Sequence, residues 1–120
     1  EIELSAQISF VKLASYVGTS STGSVCEMIG LNVDISGRDV VVVEDIVDSG
    51  LTMKYVTEML AKYNPRSISI CTLLLKPGNL KVDLDIPYKC FSIPNDFILG
   101  YGLDYDGYGR NTRDIYTVVE

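Results

Sequence analysis

The chain has 120 residues, of which 47% are hydrophobic, so its length suits a single domain with one core over residues 1–120. Its net charge of −6 excludes non-specific nucleic-acid binding through an excess of lysine and arginine, and the absence of histidine leaves acid–base chemistry to Asp, Glu, Lys or Tyr. Three widely spaced cysteines and the lack of a long apolar stretch favour a reducing cytoplasm and give no sign of a zinc site, a disulfide framework or a membrane segment.

The first part of the chain is predicted to form strands around a polar loop. Near-alternating apolar residues predict a strand over residues 8–16, and an extended apolar pattern resumes over residues 25–29. The intervening residues 17–24 are almost all Gly, Ser and Thr, so they are predicted to form either a mobile flap or a plain surface loop. After a turn at residues 36–38, the β-branched run at residues 40–43 predicts a strand buried on both faces of a parallel sheet.

The second part is predicted to alternate between helix and strand. Apolar side chains recur at helical spacing over residues 51–63, and Asn64-Pro65 is a stop signal for that helix. The apolar run at residues 67–75 predicts another buried strand, and shorter strands are predicted over residues 89–93 and 115–119. A strand, a helix and a strand in succession usually form a right-handed unit with parallel strands, so the sequence predicts an α/β fold.

The stretch with the clearest chemical meaning is VVVEDIVDSGLT, residues 41–52, where a strand runs into acidic residues, a Ser-Gly turn and a helix. In open α/β sheets, ligands lie beyond the carboxyl ends of the strands. Residues 48–52 would there present backbone N–H groups, two hydroxyls and the positive end of a helix dipole to a phosphate. Gly50 would let the backbone approach that phosphate closely. Glu44 and Asp45 suit sugar hydroxyls, directly or through hydrated Mg²⁺, so the stretch predicts a ribose-phosphate site.

The same residues also have a purely structural interpretation. Asp48 and Ser49 could serve only as N-caps of the helix, and Glu44 and Asp45 could form only a solvated strand end. Two adjacent carboxylates after a buried strand are costly to desolvate, however, unless a ligand or a cation compensates. The complete run therefore favours a binding site.

This stretch resembles the phosphoribosyl pyrophosphate (PRPP) motif of type I phosphoribosyltransferases, and its EDIVDSG form resembles their hypoxanthine-guanine branch. The same branch is matched in order and spacing by LLLKP at residues 73–77, IPNDFILGYGLDY at residues 93–105, and Arg110. The resemblance covers roughly residues 8–119 and implies a parallel-sheet, Rossmann-like type I phosphoribosyltransferase core. Members of this family carry a further N-terminal portion, with the first strand of the core sheet and a Lys-Gly loop for pyrophosphate. The core is therefore expected to be incomplete at its N-terminal side.

The resemblance implies how PRPP would bind. Glu44 and Asp45 would hold the ribose hydroxyls and the metal bound there, and the 5′-phosphate would bind to Asp48, Ser49, Gly50, Leu51 and Thr52. Asp48 would also lie near N7 of the purine and act as the general acid or base. Because a helix N-terminus favours a carboxylate, Asp48 is expected to be ionised in the free enzyme.

The resemblance also implies a purine site. Lys76 would donate to O6 and distinguish 6-oxopurines from adenine, although spacing alone favours a snorkelling surface lysine. Phe97 would stack on the base and the backbone of Ile98 would pair with its edge, although a lone Phe is usually a core residue. Asp104 would lie at the base and help to hold the Mg²⁺ of the pyrophosphate, and Arg110 would add positive charge there.

Ser15 and Tyr16, together with the loop that follows them, resemble the family's flexible flap. Closure of this flap would expel water from the site and protect the reacting centre at C1′ from hydrolysis. The two residues are therefore expected to lie close to the pyrophosphate in the closed enzyme.

The function implied by the resemblance is purine salvage in the cytoplasm. A Mg²⁺-dependent enzyme would transfer the phosphoribosyl group of PRPP to hypoxanthine, guanine or both, giving IMP or GMP and pyrophosphate. It is expected to be a homo-oligomer, a dimer or a tetramer, without nucleic-acid or membrane partners. Two other hypotheses are a non-catalytic phosphoribosyltransferase-like regulator that binds a nucleotide or PRPP, and a flavodoxin-like interaction domain that shares only the architecture. The presence of both purine and leaving-group residues favours catalysis.

Overall fold

The structure of the protein is a computed structural model. It describes the backbone of residues 1–17 and 24–119 and the side chains of residues 1–14 and 27–119. The elements in chain order are β1 (Lys12–Val17), β2 (Ser24–Ile29), β3 (Asp39–Val47), α1 (Leu51–Ala61), β4 (Ser67–Leu75), the 3₁₀ helix η1 (Pro77–Asn79), β5 (Tyr88–Ser92), β6 (Ile98–Leu99) and β7 (Tyr116–Thr117). Within these residues, no helix is long and apolar enough to cross a membrane.

The main sheet is parallel and has the strand order β3-β4-β5. β3, α1 and β4 form the predicted strand–helix–strand unit, in which Val43 lies opposite Cys71 and Cys71 lies opposite Tyr88. β1 and β2 form an antiparallel pair, as do β6 and β7. The α/β class and the parallel sheet predicted from the sequence are thereby confirmed.

The core forms where α1 packs against this sheet. The buried residues of the helix are Met53, Val56 and Leu60, whose spacing places them on one helical face. They pack with buried side chains of the sheet and of the loop before it, namely Ile35, Val47, Ile70 and Leu75. Burial of each such side chain contributes about 1.5–3 kcal/mol. The core thus fixes the end of β3 and the start of α1 relative to each other.

α1 ends at Ala61, shortly before the predicted end at Tyr63. Tyr63 N donates to Leu60 O at 3.0 Å, and Asn64 N donates to Ala61 O at 3.2 Å, so the last turn has the tighter 3₁₀ pattern. Asn64 then has a φ of 56°, in the left-handed region, and Pro65 follows it. The predicted stop signal is therefore correct, and only the final turn differs.

β3 is not buried on both faces, contrary to the prediction. Its side chains alternate in burial, and Val41 and Val43 are 56% and 76% exposed. The helix covers only the face that carries Val40 and Val42, which pack against the core. No described segment of the chain buries the other face. The central strand β4 is more deeply buried, at Ile70, Thr72, Leu74 and Leu75.

The first predicted strand is shorter than expected. Residues 1–11 have no regular structure, and Ile8 and Phe10 are 82% and 80% exposed. β1 begins at Lys12 because its pairing with β2 begins there, opposite Ile29. The strand predicted over residues 115–119 is likewise limited to Tyr116–Thr117, the two residues that pair with β6.

Candidate functional site

Two adjoining cavities lie at the carboxyl end of β3, where the sequence predicts a ligand site. Both are lined by Asp45, Ile46 and Asp48. The larger cavity, of about 300 Å³, is also lined by Lys76, Phe97, Ile98, Leu103, Asp104 and Arg110. The smaller cavity, of about 200 Å³, is also lined by Glu44, Val47, Ser49, Gly50, Thr52 and Met53. The structure therefore places the predicted purine and ribose-phosphate residues around neighbouring spaces.

Leu51 is a predicted site residue whose described side chain lines neither cavity. Leu51 is the first residue of α1 and its side chain is exposed, so it could offer only its backbone N–H group to a ligand. Ser15 and Tyr16 lie in β1, but their side chains are outside the described residues, as are residues 18–23 of the predicted flap. Their proposed role stays a prediction.

The turn from β3 into α1 leaves helical N–H groups beside the smaller cavity. Gly50 is the N-cap residue, and Lys54 N donates to Gly50 O at 2.9 Å within the first turn. The first N–H groups of a helix have no intrahelical acceptor, and the helix dipole is positive there. Asp48 and Ser49 are therefore not the N-caps of the structural interpretation. Ser49 Oγ accepts only a long hydrogen bond, of 3.4 Å, from Leu51 N.

The structure supplies a reason for Gly50 that is absent from the sequence prediction. A Cβ atom at this position would lie 2.9–3.0 Å from the side chains of Leu80, Val82 and Leu84. Residues 80–84 pack over the turn, and we call them the covering segment. Gly50 also has a φ of 83°, which strains any other residue. The left-handed backbone thus favours glycine here, and the ends of the three side chains would have to shift to admit a Cβ atom.

Gly50→Ala is expected to lower the free energy of unfolding by about 2–5 kcal/mol, because left-handed strain costs about 1–2 kcal/mol and overpacking adds about 1–3 kcal/mol. Urea denaturation would measure this loss. Gly107→Ala is the matched control, since Gly107 has a φ of 82° but nothing within 4 Å of an added Cβ. The control should lose only the strain, and equal losses in both variants would contradict the packing argument.

Both carboxylate oxygens of Asp48 have protein partners. Asn79 Nδ2 donates to Oδ1, and Lys76 Nζ donates to Oδ2 at 3.2 Å. The hydrogen bond from Asn79, followed by that from Lys76 and by the charges of Lys76 and Lys81, holds the pKa of Asp48 below its ordinary value. This direction agrees with the ionised carboxylate expected from the sequence. The cause is side-chain hydrogen bonding rather than the helix N-terminus.

Lys76 is buried, so its interpretation as a snorkelling surface lysine is wrong. The residue is only 6% exposed and lines the larger cavity beside Asp48. A buried ammonium needs a counter-charge, which Asp48 supplies through an ion pair. An ammonium has three N–H donors, so this ion pair leaves donors for a ligand in the cavity.

Glu44 and Asp45 form a close pair of carboxyl groups near the end of β3. Burial, followed by the hydrogen bond and the negative charge of Asp45, raises the pKa of Glu44 to about 7. Backbone N–H groups also bind the pair, from Asp45 N to Glu44 Oε1 at 3.3 Å and from Ile46 N to Asp45 Oδ1 at 2.8 Å. A cation or sugar hydroxyls at this point would ease the ionisation of Glu44.

The raised pKa of Glu44 predicts a loss of stability as the pH rises. A carboxyl group that binds its proton more tightly when folded contributes its full stabilisation below the unfolded value of 4.5 and loses it as the pH passes about 7. After allowance for solvent screening, we expect a loss on the order of 1 kcal/mol in unfolding free energy. Urea denaturation near pH 4.5 and above pH 7 should show a smaller loss in Glu44→Gln than in the wild type. An equal loss would mean that another group is responsible.

The opposite wall of the larger cavity comes from the loop between β6 and β7 and the residue before β6. Phe97 is 56% exposed and meets Tyr105 edge to face, with ring centroids 5.7 Å apart, so it is not a core residue. Arg110 Nη2 pairs with Asp104 Oδ1 at 3.0 Å, and Gly107 N donates to Asp104 Oδ2 at 2.9 Å. The two residues predicted near the leaving group are thus brought together as an ion pair.

The carboxylates predicted to bind Mg²⁺ do not form a preassembled cage. In the part of the chain that the structure describes, no three His, Cys, Asp or Glu residues are grouped closely enough to hold a metal ion. Asp45 and Asp104 nevertheless line the same cavity, and Glu44 adjoins Asp45. Mg²⁺ commonly binds through one or two carboxylates, with phosphate oxygens and water completing its octahedron. These oxygen donors therefore fit a Mg²⁺ ion that arrives with a phosphorylated substrate.

Asn79 contacts Asp48 but is not among the residues predicted from the sequence. It lies in η1, which begins at Pro77 directly after Lys76. The run Pro-Gly-Asn is typical of a turn, so the sequence does signal that the chain reverses at the end of β4. Leu103, which also lines the larger cavity, carries no comparable signal because an apolar side chain has many possible roles.

Comparisons with known proteins agree with this geometry. The family model of the phosphoribosyl transferase domain matches residues 2–106. The hypoxanthine-guanine phosphoribosyltransferase of Mycobacterium tuberculosis is 47% identical over 118 residues, which are 98% of this chain and 58% of that protein. The chain thus spans somewhat more than half the length of this curated relative.

Solved structures show the same similarity. A hypoxanthine phosphoribosyltransferase from Staphylococcus aureus has a TM-score of 0.82 at 37% identity, over 98% of this chain and 64% of that chain. An HGPRT-ase from Leishmania tarentolae in complex with GMP has a TM-score of 0.70 at 36% identity, over 72% of this chain and 51% of that chain.

Proposed function

Because the chain belongs to the phosphoribosyltransferase domain family, we propose that the protein transfers the phosphoribosyl group of PRPP to hypoxanthine, guanine or both in purine salvage. The similarity to hypoxanthine-guanine phosphoribosyltransferases supports this choice of substrates. The observation that carries the proposal is that Asp48 lines both a cavity beside a helix N-terminus and a cavity containing Lys76 and Phe97. A sugar phosphate and a purine bound in these spaces would meet at Asp48.

PRPP would bind through the smaller cavity. Its 5′-phosphate would accept hydrogen bonds from the N–H groups at the start of α1 and from the hydroxyls of Ser49 and Thr52. The ribose hydroxyls would donate to Glu44 and Asp45, which line the same cavity. This binding mode explains how a protein of net charge −6 can hold the 5′-phosphate, since its contacts there are backbone N–H dipoles and hydroxyls rather than basic side chains.

The purine would occupy the larger cavity. Phe97, exposed on one wall, would stack on the ring, and the backbone of Ile98 would pair with its edge. Lys76 would donate to O6 from its buried position. The 6-amino group of adenine cannot accept that hydrogen bond, so adenine would leave one N–H donor of the buried ammonium unpaired and would bind poorly.

The reaction would be a displacement at C1′ of the ribose. The bond from C1′ to the purine nitrogen forms, the bond from C1′ to the pyrophosphate oxygen breaks, and the proton that the purine loses passes to Asp48. Asp48 can take this proton because its partners keep it ionised, as the lowered pKa indicates. Holding both substrates against each other in the adjoining cavities would supply much of the remaining acceleration.

Pyrophosphate would leave at the far side of the larger cavity. Arg110 would stabilise its charge, exchanging part of its ion pair with Asp104 for the leaving group. Asp45 and Asp104, with Glu44 adjacent, would hold Mg²⁺, which when bound neutralises charge on the departing pyrophosphate. A cytoplasmic location and a dimeric or tetrameric assembly form part of the same proposal.

Incubation of the protein with PRPP, Mg²⁺ and one of hypoxanthine, guanine, xanthine or adenine tests this function. We expect IMP from hypoxanthine or GMP from guanine, and far less product from adenine, in a chromatographic assay. If PRPP binds but no base gives a nucleotide, the protein is a regulator rather than an enzyme. If neither PRPP nor a nucleotide binds, the proposed site itself is wrong.

A further inference from the structure

Residues that follow β4 donate hydrogen bonds to three successive residues of the turn, Val47, Asp48 and Ser49. Lys76 N donates to Val47 O at 3.0 Å, and Lys81 N donates to Ser49 O at 2.8 Å. Between these two backbone contacts, Asn79 Nδ2 donates to the carboxylate of Asp48 itself. The chain from the end of β4 to the covering segment therefore follows the turn residue by residue.

We propose that Asn79 is a positioning residue for Asp48, whose side-chain amide fixes the orientation of the carboxylate and favours its ionised form. This inference rests on the proposed function only where it concerns catalysis, because Asp48 takes the purine proton only if the protein is a phosphoribosyltransferase. The contact between the two side chains stands independently of that function, because it is present in the protein without a substrate.

Orientation of a carboxylate requires a contact to each oxygen. The terminal torsion of an Asp side chain is broad, so the single bond from Lys76 to Oδ2 leaves the group free to rotate. Asn79 holds Oδ1, and the two donors together define the plane of the carboxylate. Asn79 is itself fixed by the short helix η1, where Asn79 N donates to Lys76 O at 3.1 Å and Pro77 restricts the first residue.

Of the three side chains that stabilise the Asp48 carboxylate, namely Asn79, Lys76 and Lys81, only Asn79 carries no charge. Lys76 at the end of β4 and Lys81 in the covering segment both act on Asp48 through their charge. The larger cavity is also lined by Asp45 and by the ion pair of Asp104 with Arg110. Removing any of these would change the net charge of the site. Removing the Asn79 amide would leave the net charge unchanged and delete only the hydrogen bond.

The titration of the Asp48 carboxyl group, followed by carbon NMR, tests this proposal without any turnover. In Asn79→Ala we expect the midpoint to rise toward that of an ordinary Asp, because the anion loses a donor. In Asn79→Asp we expect a larger rise, because a negative charge replaces the donor. Asn32→Ala is the control. Asn32 is exposed, and among the described side chains it accepts a hydrogen bond only from Ser9. It should leave the midpoint where it is in the wild type.

An Asp48 midpoint in Asn79→Ala equal to that of the wild type would overturn the proposal. Should Asn79→Ala fail to fold, Asn79→Leu keeps about the same side-chain size without a donor and should raise the midpoint in the same way, and no rise would be equally decisive. The result is separate from the nucleotide assay. A protein that makes no nucleotide but shows these shifts would contradict the proposed function while supporting the role of Asn79.

Discussion

Asp48→Asn is expected to reduce kcat by about 10²–10⁴-fold, the usual contribution of a general acid or base, while KM for PRPP changes little. Asparagine has nearly the same shape as aspartate but cannot take the proton that the purine loses. The amide oxygen of the new asparagine can still accept from Lys76, and its NH₂ group can donate to Asn79 once the Asn79 amide turns over, so both cavities should keep their form. Steady-state kinetics with hypoxanthine or guanine would separate the effect on kcat from the effect on KM.

The control for this substitution is Asp83→Asn, which removes a carboxylate from the exposed side of the covering segment. It lowers the negative charge of the protein by the same amount, and we expect kcat to remain within about two-fold of the wild type. Equal losses of turnover and of PRPP affinity in Asp48→Asn would contradict an acid–base role. Such a result would instead assign Asp48 to ground-state binding.

Lys76→Met is expected to lower kcat/KM for hypoxanthine by about 10–100-fold, which is the effect of losing one charged hydrogen bond. The ratio of kcat/KM for hypoxanthine to kcat/KM for adenine should therefore fall. Methionine keeps most of the aliphatic volume of the buried lysine but has no N–H donor for O6. The substitution also removes a partner of Asp48, which would slow the reaction with any base. The ratio of kcat/KM values for hypoxanthine and adenine cancels that common effect and reports only the recognition of O6.

Lys81→Met is the matched control, because Lys81 is exposed and acts on Asp48 only through its charge. It should leave the ratio between the two bases unchanged. If Lys76→Met also leaves that ratio unchanged, Lys76 does not read position 6 of the purine. The buried Lys76 would then act only as the counter-charge of Asp48.

The main elements of the fold were predictable because their signals are local. The apolar run of β4 is bounded by Pro65-Arg66 before it and by Lys76-Pro77 after it, and the strand occupies the predicted residues Ser67–Leu75. α1 begins at the predicted Leu51, directly after a glycine. The exposed face of β3 was not predictable, because a β-branched run shows only that Val41 and Val43 suit a sheet. Whether their face is covered depends on neighbours that the run does not contain.

The candidate site likewise contains some residues that local sequence signals predict and some contacts that only the tertiary structure shows. Glu44, Asp45 and the residues of the phosphate turn are close in sequence, so a single stretch predicts that they share one site. The contact of Asp48 with Asn79 joins residues 31 positions apart and exists because β3 and β4 pair in register, with Val47 opposite Leu75. The packing of the covering segment on Gly50 depends on the same pairing. Such contacts follow from tertiary structure and leave only a turn signal in the sequence.

The central claim is that a nucleotide phosphate binds the N–H groups where β3 turns into α1. A crystal structure of the protein with GMP tests it most directly. We expect the phosphate oxygens about 3 Å from the backbone nitrogens of residues 49–52, with the guanine against Phe97 and its O6 beside Lys76. A GMP phosphate bound elsewhere on the protein, out of hydrogen-bond reach of these backbone nitrogens, would contradict the claim.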